Sequence, residues 1–282
     1  MISIDHLRID KVAKAFKELG IERVKVFEDI DPQLEAVKYA VNRCGNRYTD
    51  YAFYVNALLA YRLKMKGEVF WDLFAKHLVD HCEEFEDLYH VIEFIERFTK
   101  EFNTLAQLQK IKRLHRIRTC SKLYNLLGKG NYAELAKKTA ICVGSPLHAK
   151  TVVFSVKMLY YTHKAVGKES LLPFEIPIPV DRRIAFITYT SAIVRTDMAS
   201  PKNAVAMLMR NSHIVRDAWN IVASASSIPP LHIDSVLWYF GKFSHVKDIR
   251  EVIENIDGRL YALLGKDILV NLANELFYIL NL

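Results

Sequence analysis

Two residues in this chain have the types and setting for covalent chemistry. Lys150 opens an otherwise apolar helical stretch, Lys150-Thr-Val-Val-Phe-Ser-Val-Lys157-Met. Asp181 ends a proline-rich segment and precedes Arg-Arg-Ile-Ala-Phe-Ile-Thr. An amine held neutral is a nucleophile that forms Schiff bases with carbonyl carbons. Lys157 lies seven residues on, two turns along the same face. A neighbouring ammonium and partial burial both favour the neutral form of Lys150. A carboxylate at a helix start is held ionised by the cap position and the helix dipole.

The elements that must carry these residues are helices. Apolar residues recur at three- and four-residue spacing, and hairpin turn signals are nearly absent. A helix over about Tyr132 to Val143 ends at Gly144, a turn runs through Ser145 and Pro146, and a second helix opens near Lys150. This reads as a helix–hairpin–helix, whose turn and following helix start offer backbone N–H groups to a phosphate. Asp31-Pro32-Gln33 reads as a capped helix start. Further helices are expected over about 51–65, around Trp71 to Leu78, after Ser200-Pro201, after Pro229-Pro230, and from about Asp267 to the end. Pro173, Pro177 and Pro179 mark an extended segment that ends at Asp181.

Charge and composition narrow the function. The 282 residues are 51% hydrophobic and 25% charged, which excludes a disordered chain. The net charge of +7 favours polyanionic partners. Basic residues crowd the stretch from Lys110 to Lys138, opposed only by Glu134, and this stretch is read as a phosphate-facing surface. Residues 83–101 are acidic on their polar face. No apolar run approaches a membrane span, and the N-terminus lacks a leader pattern, so a soluble cytoplasmic protein with no membrane partner is expected. Cys44, Cys82, Cys120 and Cys142 lie far apart, without a CxxC pair, and are expected to be reduced, buried thiols. His77 and His81 have helical metal-site spacing but lack the Glu that metalloproteases need, and no metal is assigned. Gly128-Lys-Gly130 is too short for a phosphate loop, and no dinucleotide fingerprint is present.

The sequence resembles the helix–hairpin–helix DNA glycosylases, in which a lysine after the hairpin is followed by a Pro-Val-Asp segment. More closely it is similar to the archaeal 8-oxoguanine DNA glycosylase family (AGOG). The carrying residues are Lys150 through Met158, Ile178-Pro-Val-Asp181-Arg-Arg-Ile-Ala, Asp31-Pro-Gln33, Gly67-Glu-Val-Phe-Trp71 and His232-Ile-Asp234-Ser-Val-Leu-Trp238. The long segment between Lys150 and Asp181 is also a feature of the archaeal family. The hairpin Val-Gly-Ser-Pro-Leu-His-Ala departs from the Gly-Val-Gly form of other superfamily members.

The resemblance implies an all-α fold of two helical lobes with a cleft between them. The central lobe spans 50–165, with the hairpin and Lys150. The second combines 1–49 and 166–282 and carries Asp181. It implies a DNA repair enzyme, a bifunctional glycosylase and lyase that removes 8-oxoguanine, acting as a monomer without metal or organic cofactor. Lys150 attacks the deoxyribose C1′, and Asp181 activates it. Gln33, Trp71, Asp234 and Trp238 line the pocket of the extruded base, and Lys157 sits beside the catalytic pair.

Residue chemistry alone leaves alternatives open. A base must leave the duplex to be excised, and indoles offer it stacking surfaces. Gln33 can both donate and accept, which suits the N7–H and C8 carbonyl of oxidised guanine. Yet Trp71 shares an apolar stripe with Phe74, Ala75 and Leu78, as a core residue would. Asp234 and Asp181 both have the setting of simple helix caps, and Lys150 that of a surface lysine.

Overall fold

The computed structural model describes residues 2–45, 48–198 and 200–281. They are all-α apart from one antiparallel ribbon, in which Ile2 pairs with Thr196 and Ile4 with Val194. The chain forms two compact units, one of Ile30–Ile176 and one of Met1–Asp29 with Pro177–Leu282.

In the unit of residues 30–176, the helices Thr49–Leu59 and Lys150–Ala165 pack against each other at the centre. Every residue of the mostly apolar helix Thr49–Leu59 is buried, including Thr49, Asp50 and Asn56. The helix Pro32–Cys44 packs on Gly67–His81 and on Lys150–Ala165. Phe53, Phe70, Trp71, Phe74 and Phe98 form an aromatic core.

The expected helix over 51–65 stops at Leu59, because tertiary partners take its last carbonyls. Asn103 Nδ2 donates to Leu59 O and Arg113 Nη1 to Leu58 O, each at 2.9 Å. Beyond it, Arg62 adopts a left-handed φ of 48°. The basic run is exposed at Lys112, Arg116, Arg118, Lys122, Lys129, Lys137 and Lys138, but Lys110 and half-buried Arg113 depart from it. Lys110 is fully buried and donates to Asn103 O and Oδ1. Burial and the nearby Arg62 charge pull its pKa down to about 8. Arg116 donates to Val143 O at 3.1 Å. Both cations satisfy carbonyls near helix ends, Lys110 from the interior and Arg116 while still exposed.

The cysteines are not reduced. Cys44 pairs with Cys82, and Cys120 with Cys142, at Cα separations of 5.9 and 6.2 Å. The packing of Pro32–Cys44 on Gly67–His81 brings the first pair together. The second joins the residue after Gln107–Arg118 and Thr119 to the last turn of Tyr132–Val143.

In the other unit, the helix His6–Asp29 bends at Gly20 and packs its apolar face on Ser212–Ser226, Pro230–Phe240 and Lys266–Leu276. Trp219 Nε1 donates to Thr188 Oγ1 at 2.8 Å. Glu28 and His232 form a fully buried pair, Oε1 to Nδ1 at 2.6 Å. The last helix ends at Leu276, and a 3₁₀ turn, Tyr278–Asn281, replaces the expected continuation.

Candidate active site

Lys150 is the first residue of its helix. The preceding helix, Tyr132–Val143, ends on Gly144 in the left-handed region (φ 61°, ψ 44°), and Ser145 N closes back on Ala140 O at 2.9 Å. A Cβ at position 144 would meet Arg116 Nη1 at 2.6 Å, so the turn and the arginine that caps it fit only around glycine. Arg113 ties the turn to the helix start, donating to Ser145 Oγ at 3.2 Å and Thr151 Oγ1 at 2.9 Å. Lys150 is exposed, not partly buried as the sequence suggested. At the outset of a helix, with a surface turn before it, it stays in solvent while Val152, Val153 and Val156 are buried. Lys157 differs sharply, being buried with Nζ 5.6 Å from the centre of the Tyr161 ring.

Asp31 caps Pro32–Cys44, with Oδ1 accepting from Gln33 N at 2.9 Å. Its Oδ2 accepts from Tyr161 Oη at 2.7 Å. Gln33 is buried, and its Oε1 has no hydrogen-bond partner among the described residues. A buried amide oxygen left unpaired costs about 1–3 kcal/mol, which a ligand donor would relieve. Trp71 is also buried, stacked on Phe53 at 5.9 Å and tilted against Phe154 at 5.8 Å. Gln33, Trp71, Lys150 and Lys157 thus belong to one unit, Gln33 having been expected in the lobe of Asp181.

Asp181, Asp234 and Trp238 belong to the other. Asp181 caps Arg182–Thr190, with Oδ1 accepting from Arg183 N at 2.9 Å and Ile184 N at 3.1 Å. Asp234 is not a cap. Pro229 precedes the helix Pro230–Phe240, and Asp234 lies in its second turn, 5% exposed. Trp238 is half-buried one turn further, with the Arg183 guanidinium 4.3 Å from its ring centre. The Arg183 stem passes so close to Gly241 that a Cβ there would lie 2.6 Å from Arg183 Cβ.

Sequence reasoning missed Arg183 and Tyr161. Nothing in the spacing marks them, since each earns its place through a partner distant in the chain. His77 and His81 hold no metal geometry of note. His81 Nδ1 lies 2.9 Å from His77 O, and the adjacent Cys82 is a cystine half.

Comparison with known proteins gives these positions a frame. Residues 13–266 match the model of the AGOG family, described as N-glycosylase/DNA lyase. Curated relatives bear that same name. One from Pyrobaculum aerophilum is 32% identical, covering 83% of this chain and 86% of its own. One from Aeropyrum pernix is 31% identical, covering 95% and 94%. The crystal structure of the 8-oxoguanine DNA glycosylase of Pyrobaculum aerophilum, complexed with 8-oxoguanosine, superposes with a TM-score of 0.71 at 28% identity, over 93% of this chain and 97% of that one. The chain belongs to the AGOG family of N-glycosylase/DNA lyases.

Proposed function

We propose that this protein excises 8-oxoguanine from DNA and then nicks the strand, with Lys150 as nucleophile and Asp181 as the carboxylate that activates it. Lys150 Nζ attacks C1′ of the lesion. The C1′–N9 bond breaks, its electron pair leaves with the base, and the base takes up a proton. The attached amine gives up a proton, its lone pair forms an iminium with C1′, and the C1′–O4′ bond breaks, O4′ keeping the electron pair and taking up a proton. That nitrogen is the electron sink, so the reading calls for no metal or organic cofactor. Loss of a proton from C2′ then expels the 3′ phosphate by β-elimination, and water releases the lysine.

Asp181 takes the proton that Lys150 must lose and opposes the positive charge developing on the sugar. Gln33, Asp234, Trp71 and Trp238 hold the extruded base, with Lys157 beside the catalytic pair. The hairpin of Gly144 to Ala149 contacts a backbone phosphate through its N–H groups. The enzyme acts as a monomer in an archaeal cytoplasm, associated with the nucleoid through DNA.

The observation that carries this reading is Lys150 at the head of its helix, directly after the turn that Gly144 opens, in a chain of this family. Borohydride trapping on a duplex with one 8-oxoguanine tests it. Wild type should give a cross-linked band that Lys150→Ala lacks. Trapping that survives Lys150→Ala would remove Lys150 from the role. Competition among duplexes bearing 8-oxoguanine, thymine glycol or alkylated adenine tests the lesion.

A further inference from the structure

In the unit of residues 1–29 and 177–282, a hollow of about 340 Å³ lies where the first turns of two helices, Arg182–Thr190 and Pro201–Arg210, meet. Its floor is apolar, made by Phe186, Pro201 and Val205. Its polar lining is Arg182, Arg183, Lys202 and Ser244, and among the described residues no carboxylate lines it. Three cations around an apolar floor suit an anion carried on a hydrocarbon frame.

Two features connect this hollow to the chemistry. Arg182 and Arg183 directly follow Asp181. Arg183 also lies over Trp238, the residue assigned to base stacking, and Gly241 lets its stem come that close. An anion here would therefore be a near neighbour of the extruded nucleotide.

We propose that this hollow seats one phosphodiester of the DNA strand that carries the lesion, its deoxyribose resting on Phe186, Pro201 and Val205. The proposal rests on the DNA-glycosylase reading and extends it to a backbone subsite. Arg182 and Lys202 neutralise the phosphate, with Arg183 lining the same hollow. Such contacts hold the strand in register and carry no sequence information.

The test uses the full chain with Arg182→Ala and Lys202→Ala, singly and together. Both residues are exposed, so neither substitution opens a cavity. Binding of an 8-oxoguanine duplex, an undamaged duplex and free 8-oxoguanosine is measured across a salt series. Each substitution should lower the slope of log affinity against log salt by about 0.9, and weaken duplex binding roughly five- to tenfold near 0.1 M salt. Damaged and undamaged duplex should weaken by the same factor, and the nucleoside, which has no phosphate, should bind as to wild type. An unchanged salt slope, a loss confined to damaged duplex, or weaker nucleoside binding would each overturn the subsite. Wild-type excision is assayed alongside. A wild type that fails to excise 8-oxoguanine refutes the catalytic reading, whereas the salt slopes judge the subsite on their own.

Discussion

The Tyr161 hydroxyl donates to Asp31 Oδ2 at 2.7 Å across 130 residues of sequence, while the other oxygen of Asp31 caps the backbone of Gln33. Tyr161 belongs to the helix that Lys150 opens. One buried hydrogen bond thus ties the start of Gln33's helix to the helix that opens at Lys150. Tyr161→Phe keeps the ring and removes the hydroxyl. It should cost about 1–2 kcal/mol of stability, read by urea unfolding. The KM for 8-oxoguanine duplex should rise several-fold, while nicking of a preformed abasic site, which has no base to recognise, should not change. Equal loss on both substrates would show that Tyr161 acts only through general stability.

Trp71 and Trp238 should separate by assay. Trp71 is enclosed by Phe53, Phe70, Phe74 and Phe154. Trp71→Ala should therefore lower stability by about 3–5 kcal/mol. Trp238 keeps part of its surface in solvent under the Arg183 guanidinium. Trp238→Ala should leave the melting temperature nearly as it is and weaken 8-oxoguanosine binding by about 1–3 kcal/mol, as stacked bases do. Calorimetric titration reads that difference, and unchanged affinity would return Trp238 to a packing role.

Both cystines should contribute to stability. They close segments separated by 38 and 22 residues. In the chain-entropy account each is worth about 3–4 kcal/mol. Cys44→Ser with Cys82→Ser, and separately Cys120→Ser with Cys142→Ser, should each lower the denaturation midpoint. A reducing agent should shift wild type in the same direction and leave the quadruple variant unmoved.

Asp50 should make stability depend on pH. Burial pushes its pKa up to about 6, partly offset by the hydrogen bond from Tyr51 N at 2.6 Å. The folded chain therefore holds a proton there that the unfolded chain has lost by about pH 4. The associated stability is present in full below that pH and is lost as pH rises through 6. Asp50→Asn should flatten this fall, and it should raise stability at pH 7 by about 2–3 kcal/mol. Denaturation midpoints measured from pH 4 to 8 would show it.

What the sequence made legible was local. Asp31 before Pro32, Asp181 before an apolar helix and Gly144 between two helices signal their structures through neighbours within four residues. What stayed hidden depends on partners far along the chain. Lys110 and Arg113 read as part of a solvent-facing basic run, yet they turn inward to carbonyls of Asn103 and Leu58. Cys44 and Cys82 become partners only when two helices pack. Lys150 is recognisable by motif, but its exposed position follows from the turn before it.

The order in which the chain is threaded has a consequence for its synthesis. Residues 30–176 all leave the ribosome before any of the partners that cover Ile9, Val12, Phe16 and Leu19, which lie in the C-terminal third. The first helix must therefore wait, its greasy side open to water or to a chaperone, while the inserted unit matures behind it. A segment translated ahead of the inserted unit is thus among the last to find its place.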